Sequence, residues 1–537
     1  MTSMQPRNVL LIYPRFAPGS FWNYRATCEA VGRRCPAPPL GLITMAALLP
    51  PEWSVRLIDR NAEELADADL AWADLVMTGG MLVQQRDTLA IIRRCRARGL
   101  PVAIGGPDVT SSPHLYAGAD YQVLGEVEPI MADFAAAVDR GQPGRRFEAP
   151  KYQTDVATTP IPRFDLLDFD HYLQVGVQFS RGCPFTCEFC DIIELYGRVP
   201  RAKSSEQMLA ELDALYRLGW RGHVDFVDDN LIGNKKALKA FLPRLAWWLK
   251  ERDFPFEFST EASLNLADDP ELLALMRAAN FFVVFVGIES ADAETLVATR
   301  KKQNTRRDIA ESVHRIYAAG MFVIAGFIVG FDSERGSITA RTAELIERAA
   351  IPICMIGLLS ALPNTQLSRR LQHEGRLFAD FEVNGAEDGD HCTEGLNFTT
   401  LRPRRDVLED ARALISEVYR PERYFGRLRR MARLLDSRGH KVAIPLRRDL
   451  YEVVRLTWHC LVSSRDMRRE VWRTVIDCAR HNPSALRSAL RVTALYIHFG
   501  PFSRVAAASL ARKIEEAAET DHRPVLPAGV AATAYRR

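Results

Sequence analysis

The chain has 537 residues, of which 47% are apolar and 26% are charged, a composition typical of a globular protein with a large core. Lysine and arginine exceed aspartate and glutamate by only 70 − 67 = 3, so net charge gives no argument for a nucleic-acid partner. No apolar run reaches the roughly 18 residues of a membrane-spanning helix, no secretory signal is evident, and ten cysteines are too few for a disulfide scaffold.

Residues 1–140 are predicted to form an α/β domain with a doubly wound, Rossmann-like parallel sheet. Short and nearly continuous apolar strands alternate there with helical stretches, which is typical of a parallel sheet covered on both faces. The predicted strands lie at 8–13, 54–59, 74–78, 101–105 and 119–124.

Glycine-containing segments follow three of these strands. In parallel sheets, ligands bind beyond the carboxyl ends of the strands, and glycine lets a ligand approach the backbone closely. The segments are Thr78-Gly79-Gly80, Gly105-Gly106-Pro107 and Gly125-Glu126. Either they contact a ligand or they form tight strand-to-helix turns without one.

A second domain is predicted at 171–400, after a proline-punctuated linker at 141–170. Six further apolar segments alternate with helical ones, which predicts a partial (β/α)6 barrel with functional residues at the carboxyl ends of its strands. The predicted strands lie at 174–179, 223–227, 256–260, 282–287, 322–328 and 353–359.

Residues 401–520 are predicted to be a helical C-terminal region, followed by a flexible tail at 521–537. Residues 402–450 contain 14 Lys and Arg against 7 Asp and Glu, and large apolar residues follow. These are Trp458, Leu461, Trp472 and the segment 493–502. Two interpretations stay open: helices that pack on the barrel, or a basic face that meets an anionic membrane or substrate.

Three cysteines lie together in the segment RGCPFTCEFC, directly after the first strand of the second domain. They are Cys183, Cys187 and Cys190. Three thiolates on one short loop can hold three corners of an iron–sulfur cluster. Three protein ligands and one open position are typical of a catalytic rather than a structural metal site.

The spacing CxxxCxxC, with the aromatic Phe189 before the last cysteine, resembles the signature of radical S-adenosylmethionine enzymes. The resemblance implies a 4Fe-4S cluster on the three cysteines, with S-adenosylmethionine bound to the fourth iron. It further implies reductive cleavage of the sulfonium to a 5′-deoxyadenosyl radical, with an electron donor such as flavodoxin or ferredoxin.

The resemblance also implies S-adenosylmethionine contacts at the strand ends of the barrel, although a structural role is the alternative for each residue. The implied residues are Phe189, Asp228, Asp229, Asn230, Glu261, Glu289 and Gly326. Asn364 stands where relatives commonly have glycine and is expected to keep a left-handed backbone.

The domain order resembles the subgroup with an N-terminal cobalamin-binding domain, which includes hopanoid methylases. This resemblance implies cobalamin contacts at the three glycine-containing segments. The chain lacks the Asp-x-His-x-x-Gly element of another cobalamin class, so cobalamin is expected to bind without a protein histidine on cobalt. A domain that has lost cobalamin is the alternative.

The resemblance favours a cobalamin-dependent methyltransferase that acts on an unactivated carbon of a small molecule or a lipid such as a hopanoid. A radical rearrangement, cyclisation or oxidation without methyl transfer is the first alternative. An iron–sulfur protein for electron transfer or regulation is the second. The expected location is the cytoplasm, with peripheral contact at the inner membrane face.

Overall fold

The computed structural model describes residues 4–17, 19–379, 392–437, 439–440, 442, 454–455 and 465–517. Trp458, Leu461 and the predicted tail at 521–537 therefore lie outside the described residues. In the described ranges, no helix is both long and apolar enough to cross a membrane.

The N-terminal sheet has six parallel strands in the order β2-β1-β3-β4-β5-β6. Its strands are β1 Asn8–Tyr13, β2 Ser54–Asp59, β3 Leu75–Gly79, β4 Val102–Gly105, β5 Tyr121–Leu124 and β6 Arg145–Glu148. Strand order reverses between β1 and β3, and such a switch point opens a crevice at the carboxyl ends of the strands.

Helices cover both faces of this sheet, as predicted. Val9 and Leu11 belong to one apolar cluster, and Leu10 and Ile12 belong to another, because successive side chains of a strand point to opposite faces. The helices that contribute to these two clusters are α2 Leu40–Ala46, α3 Asp67–Trp72, α4 Gln85–Arg96, α5 Pro107–Ser111 and α6 Met131–Asp139, and the short helix α1 Arg25–Ala30 precedes them.

The sixth strand, Arg145–Glu148, was not predicted and lies inside the range predicted to be a linker. Only Phe147 of its four residues is buried, because β6 is an edge strand that pairs with β5 alone. An edge strand with charged side chains carries almost no apolar pattern, so the sequence offered no signal for it.

The second sheet confirms the predicted partial barrel. Its six parallel strands follow one another in the order β14-β13-β12-β11-β10-β7. They are β7 Val175–Val177, β10 Gly222–Phe226, β11 Phe256–Glu261, β12 Phe281–Glu289, β13 Phe322–Val329 and β14 Ile353–Leu358. A short antiparallel pair, β8 Ser180–Arg181 and β9 Arg201–Ala202, follows β7.

Helices connect these strands, and all but the short α7 contribute residues to the apolar core of the barrel. They are α7 Ile192–Leu195, α8 Ser205–Arg217, α9 Lys235–Lys250, α10 Pro270–Ala278, α11 Ala293–Ala298, α12 Ile309–Ala318, α13 Thr339–Ala349 and α14 Gln366–His373. Ser204 caps α8 by accepting a hydrogen bond from the Gln207 amide at 3.1 Å, as its position before the apolar run predicts.

The C-terminal region is helical where it is described, and its long last helix is largely a core element. The helices are α15 Arg404–Val418, α16 Pro421–Leu434, α17 Arg465–His481 and α18 Leu486–Ala517. In α18, Phe499 lies 4.7 Å from Phe21 between ring centroids, and Thr27 donates a hydrogen bond to the Ala494 carbonyl at 3.0 Å. The segment 493–502 therefore packs inside the protein, as the first interpretation proposed.

Candidate functional site

The three cysteines lie on one loop whose two ends are joined by the β8–β9 pair. Gly182, at the start of the loop, has φ +98°, and a Cβ there would lie 2.9 Å from the carbonyl oxygen of Gly197. The Cys183 amide donates to that same carbonyl at 3.2 Å. Glycine is therefore required for the close approach that closes the loop.

Amide side chains from distant parts of the chain donate to two of the sulfurs. Asn230 Nδ2 lies 3.7 Å from Cys183 Sγ, and Gln303 Nε2 lies 3.6 Å from Cys187 Sγ. Donors of this kind stabilise thiolate ligands and tune an iron–sulfur cluster. In the described part of the chain, no three His, Cys, Asp or Glu side chains converge on a single metal ion. The donor set fits a 4Fe-4S cluster in which three iron atoms each take one cysteine.

Lys301 places a buried positive charge beside the loop. Its Nζ lies 2.6 Å from Glu289 Oε1 and 5.9 Å from the ring centroid of Phe189. Burial alone would lower the pKa of Lys301, but Glu289 and the nearby cysteine thiols outweigh burial and raise it. A Cβ at Gly287 would lie 2.3 Å from Glu289 Oε1, so glycine makes room for this pair. Glu289 thus pairs with Lys301, which the sequence analysis did not find because no local motif marks it.

Two neighbouring aspartates after β10 have different surroundings. Asp228 accepts hydrogen bonds from the amides of Phe179 and Ser180 and from the Ser180 hydroxyl, at 2.5–2.8 Å. Burial raises its pKa to about 6 against those donors. Asp229, in contrast, has a buried Oδ2 without a hydrogen-bond partner, and burial together with Asp228 raises its pKa to about 7. Asp228 positions the start of the loop, and Asp229 offers a free acceptor.

The other predicted S-adenosylmethionine residues also divide into two groups. Glu261 lines the cavity and is open to it. Its position deep in the protein, followed by the neighbouring carboxylates of Asp225 and Asp229, raises its pKa. Asn230 is fixed by Ser263, whose amide donates to its Oδ1 at 3.1 Å. Gly326 is buried below Phe285, whose ring would lie 3.3 Å from a Cβ there. Glu261 thus faces the cavity, while Asn230 and Gly326 contact neighbouring side chains.

A cavity of about 680 Å³ lies between the carboxyl ends of the two sheets. On the barrel side, its wall includes Asp228, Asp229 and Glu261. All of the residues predicted to contact cobalamin line the opposite wall, namely Thr78, Gly79, Gly80, Gly105, Gly106, Pro107, Gly125 and Glu126. The structure therefore brings the two predicted cofactor walls together around one space.

On the N-terminal wall of the cavity, several positions are glycine, so no side chain covers the backbone at those positions. A Cβ at Gly79 would lie 2.3 Å from the Gly105 carbonyl oxygen, and a Cβ at Gly105 would lie 3.0 Å from the Val123 carbonyl oxygen. Close packing of neighbouring strand ends thus requires glycine, whether or not a ligand binds. At these glycines the backbone itself faces the cavity, and such a surface fits a planar ligand that approaches closely.

Glu126 does not present a free carboxylate to the cavity. It accepts hydrogen bonds from Arg181 at 3.0 Å and from Arg201 at 2.8 Å. Arg181 also pairs with Glu128 at 2.7 Å. Burial alone would raise the pKa of Glu128, but Arg181 holds it below its usual range. We call these four side chains the domain clasp, because they join the N-terminal sheet to the β8–β9 pair.

We predict that Glu126→Gln loosens the cysteine loop. The substitution removes the negative charge that Arg181 and Arg201 share, and both guanidinium groups are largely buried. Breaking a buried ion pair in this way lowers the free energy of unfolding by about 3–5 kcal/mol. Iron retained after anaerobic reconstitution and the midpoint of thermal unfolding should both fall. Glu148→Gln is the control, because Glu148 makes an exposed pair with Arg146, and such pairs contribute about 0–1 kcal/mol. Unchanged iron content and midpoint in Glu126→Gln would contradict the clasp.

Two regions of the chain match family models. Residues 177–346 match the radical SAM superfamily, and residues 365–512 match a domain of unknown function, DUF4070. The first region contains the cysteine loop and most of the barrel, and the second contains most of the C-terminal helices.

Two solved structures share the arrangement of the domains. The cobalamin-dependent S-adenosylmethionine radical enzyme OxsB, with aqua-cobalamin bound, matches with a TM-score of 0.59 at 15% identity over 95% of this chain and 81% of that one. The radical S-adenosylmethionine methyltransferase TsrM from Kitasatospora setae matches with a TM-score of 0.52 at 17% identity, over 69% and 75% of the two chains. At these identities the likeness shows the fold.

Sequence relatives are considerably more similar. The protein named uncharacterized methyltransferase sll1242, from Synechocystis sp., is 42% identical over 511 residues, which are 94% of both chains. Hopanoid C-2 methylase from Rhodopseudomonas palustris is 39% identical over 421 residues, which are 78% of this chain and 77% of the relative. Together with the three-cysteine loop on a partial barrel, these relatives show that the chain belongs to the radical SAM superfamily, in the methyltransferase family that includes hopanoid C-2 methylase.

Proposed function

We propose that the protein uses cobalamin to transfer a methyl group to an unactivated carbon of a lipid such as a hopanoid. The observation that carries this proposal is the single cavity with a bare glycine wall on one side and the acidic barrel wall on the other. The named activities of the methylase relatives support methyl transfer. One space shared by two cofactors would let a substrate carbon meet both of them.

The chain's own residues would hold the cofactors in place. Cys183, Cys187 and Cys190 would bind the cluster, while Asp229 and Glu261 would accept hydrogen bonds from the ammonium group of S-adenosylmethionine. When bound, the cluster with S-adenosylmethionine supplies a hydrogen-abstracting radical, and cobalamin supplies the methyl group. The cavity walls would keep water away from reactive species.

The residues of the N-terminal wall support a particular mode of cobalamin binding. Among the described residues that line the cavity, the histidine is His223, which lies on β10 of the barrel and not on the N-terminal wall. Cobalamin would therefore rest on the glycine segments without a protein histidine on cobalt.

We predict that Cys187→Ala abolishes both the cluster's visible absorbance and the cleavage of S-adenosylmethionine, because two thiolates do not hold the cluster. The control is Cys95→Ala, which removes a buried thiol from the apolar core of the N-terminal domain. Cleavage of S-adenosylmethionine by Cys187→Ala at the rate of the unsubstituted protein would contradict the assignment.

Methyl transfer itself is tested with anaerobically reconstituted protein, a low-potential reductant and a hopanoid. We expect a product heavier by one methylene unit, formed together with 5′-deoxyadenosine and S-adenosylhomocysteine, as read by mass spectrometry. 5′-Deoxyadenosine without a heavier product would favour a rearrangement, cyclisation or oxidation. Reduction of the cluster without any cleavage of S-adenosylmethionine would favour an electron-transfer or regulatory protein.

We also propose that a small protein such as flavodoxin or ferredoxin supplies the electron.

We further propose that α17 contacts an anionic membrane at the cytoplasmic face. Trp472 and Ile476 are 56% and 46% exposed and lie one helical turn apart on the same side of α17. Exposed arginines surround them, and we call this set the α17 outer face: Arg468, Arg469, Trp472, Arg473, Ile476 and Arg480. Aromatic and apolar side chains flanked by arginine are typical of helices that lie in a membrane surface.

We predict that Trp472→Ser combined with Ile476→Ser weakens co-sedimentation with vesicles containing phosphatidylglycerol by several-fold, because two apolar contacts are lost. Trp247→Ser is the matched control, since Trp247 is 63% exposed on α9, outside the α17 outer face. Equal loss of binding in the control, or equally strong binding of the unsubstituted protein to uncharged vesicles, would contradict this contact.

A further inference from the structure

The floor of the cavity inside the barrel has a polar half and an apolar half. On β10 and β11, alternate side chains point inward and are polar, namely those of His223, Asp225, Ser259 and Glu261. On β12 and β13, the inward side chains that line the cavity are apolar, namely those of Val283, Phe285 and Ile324. Because the period of a strand is two residues, each half is a continuous patch.

Three side chains of the polar half form a hydrogen-bonded chain. Ser259 Oγ donates to Asp225 Oδ1, and His223 Nε2 lies 2.6 Å from the same Ser259 Oγ. A serine hydroxyl has one proton to donate, so the bond from His223 to Ser259 must be donated by the histidine. His223 Nε2 therefore carries a hydrogen.

The surroundings keep His223 neutral and in place. Burial lowers its pKa to about 4, although Glu257 opposes the shift and Arg491 adds to it. Its ring stands edge-on to Phe282 with centroids 5.0 Å apart. Arg491, from α18, pairs with Glu257 next to it. The last helix thus closes the floor and fixes the direction in which the chain of hydrogen bonds runs.

The atoms of this hydrogen-bonded chain that can still bind a ligand are hydrogen-bond acceptors. In the described part of the protein, the second carboxylate oxygen of Asp225 receives no hydrogen bond, and only burial and Ser259 shift its pKa. Ser259 Oγ keeps one further lone pair. Asp225 is partly exposed to the cavity, and an ionised carboxylate only accepts hydrogen bonds, so a ligand group that pairs with this oxygen must carry an O–H or N–H.

Two aromatic side chains from the N-terminal domain cover the floor. Trp22 lies 6.1 Å from Phe285 between ring centroids, over the apolar half. Tyr24 has φ +40°, a left-handed conformation that is unusual for a bulky residue, and Phe499 packs against it at 5.5 Å. Backbone conformations of this kind persist where neighbours hold them and are frequent at ligand sites.

We propose that this floor is a hydroxyl-recognition subsite, in which a substrate hydroxyl donates to Asp225 while its apolar body lies between Trp22 and the patch of Phe285 and Ile324. The inference rests on the proposed function, since it names the substrate as an apolar molecule that bears a hydroxyl.

The first test needs no variant and no turnover. Equilibrium dialysis of the reconstituted protein measures binding of a hydroxylated pentacyclic triterpenoid and of the same skeleton with hydrogen in place of the hydroxyl. We expect the hydroxylated compound to bind at least about tenfold more tightly than the hydrocarbon, as one hydrogen bond to a charged group implies. Equal binding of the two compounds would overturn the subsite.

Substitutions then test which side chains cause the preference for the hydroxylated compound. Asp225→Asn and Ser259→Ala should each bring the affinity for the hydroxylated compound close to that for the hydrocarbon and leave the affinity for the hydrocarbon unchanged. Ser312→Ala is the control, because this buried serine also donates a hydrogen bond, to the Asp308 carbonyl at 2.8 Å on α12, outside the cavity. Loss of affinity for both compounds alike would overturn the proposal. Selective binding without any methylated product would contradict only the proposed function.

Discussion

The position of the cysteine loop depends on the domain clasp, a buried network of two arginines and two glutamates. Arg181 and Arg201 belong to the strands that join the two ends of the loop, whereas Glu126 and Glu128 follow β5 of the other domain. Charges taken out of water are tolerated only when their partners are complete. Each domain therefore supplies the opposite charges that pair with the other domain's side chains. These pairs hold the cysteine loop at a fixed place relative to the N-terminal wall of the cavity.

This constraint explains why the cavity has two chemically different walls. Both sheets are parallel, and both place the carboxyl ends of their strands at the same space. Glycine lies at the ends of β3, β4 and β5, so backbone faces the cavity there, while β11 of the barrel ends in Glu261 and β10 is followed by Asp228 and Asp229. A planar cofactor suits the first wall and a cationic one suits the second. The C-terminal helices complete the arrangement, since Arg491 of α18 closes the far end of the barrel.

Much of this could be predicted from the sequence, because periodicity and spacing are local. All eleven strands that were predicted are present, and the three cysteines lie on one loop after β7. Asn364 has the expected left-handed backbone, with φ +64°. The edge strand β6 was missed, because a single buried residue produces no pattern.

Side-chain roles were harder to predict, because they depend on partners far along the chain. Asp228 and Asp229 are adjacent, yet one binds backbone amides and the other has an unpartnered oxygen. Glu126 is predicted to contact a cofactor and lines the cavity, and its carboxylate binds two arginines more than fifty residues away, which the sequence did not indicate. Lys301 lies beside the cysteines only after the barrel has formed. Neither spacing nor residue type distinguishes such cases before the chain folds.

The central claim is that three cysteines leave one iron atom of the cluster open to S-adenosylmethionine. Electron–nuclear double resonance on the reduced, reconstituted protein tests it most directly, with S-adenosylmethionine labelled isotopically at its amino nitrogen and carboxylate. We predict hyperfine coupling from both labelled groups, because both would bind the open iron. A cluster with a fourth protein ligand and no coupling from either label would contradict the account.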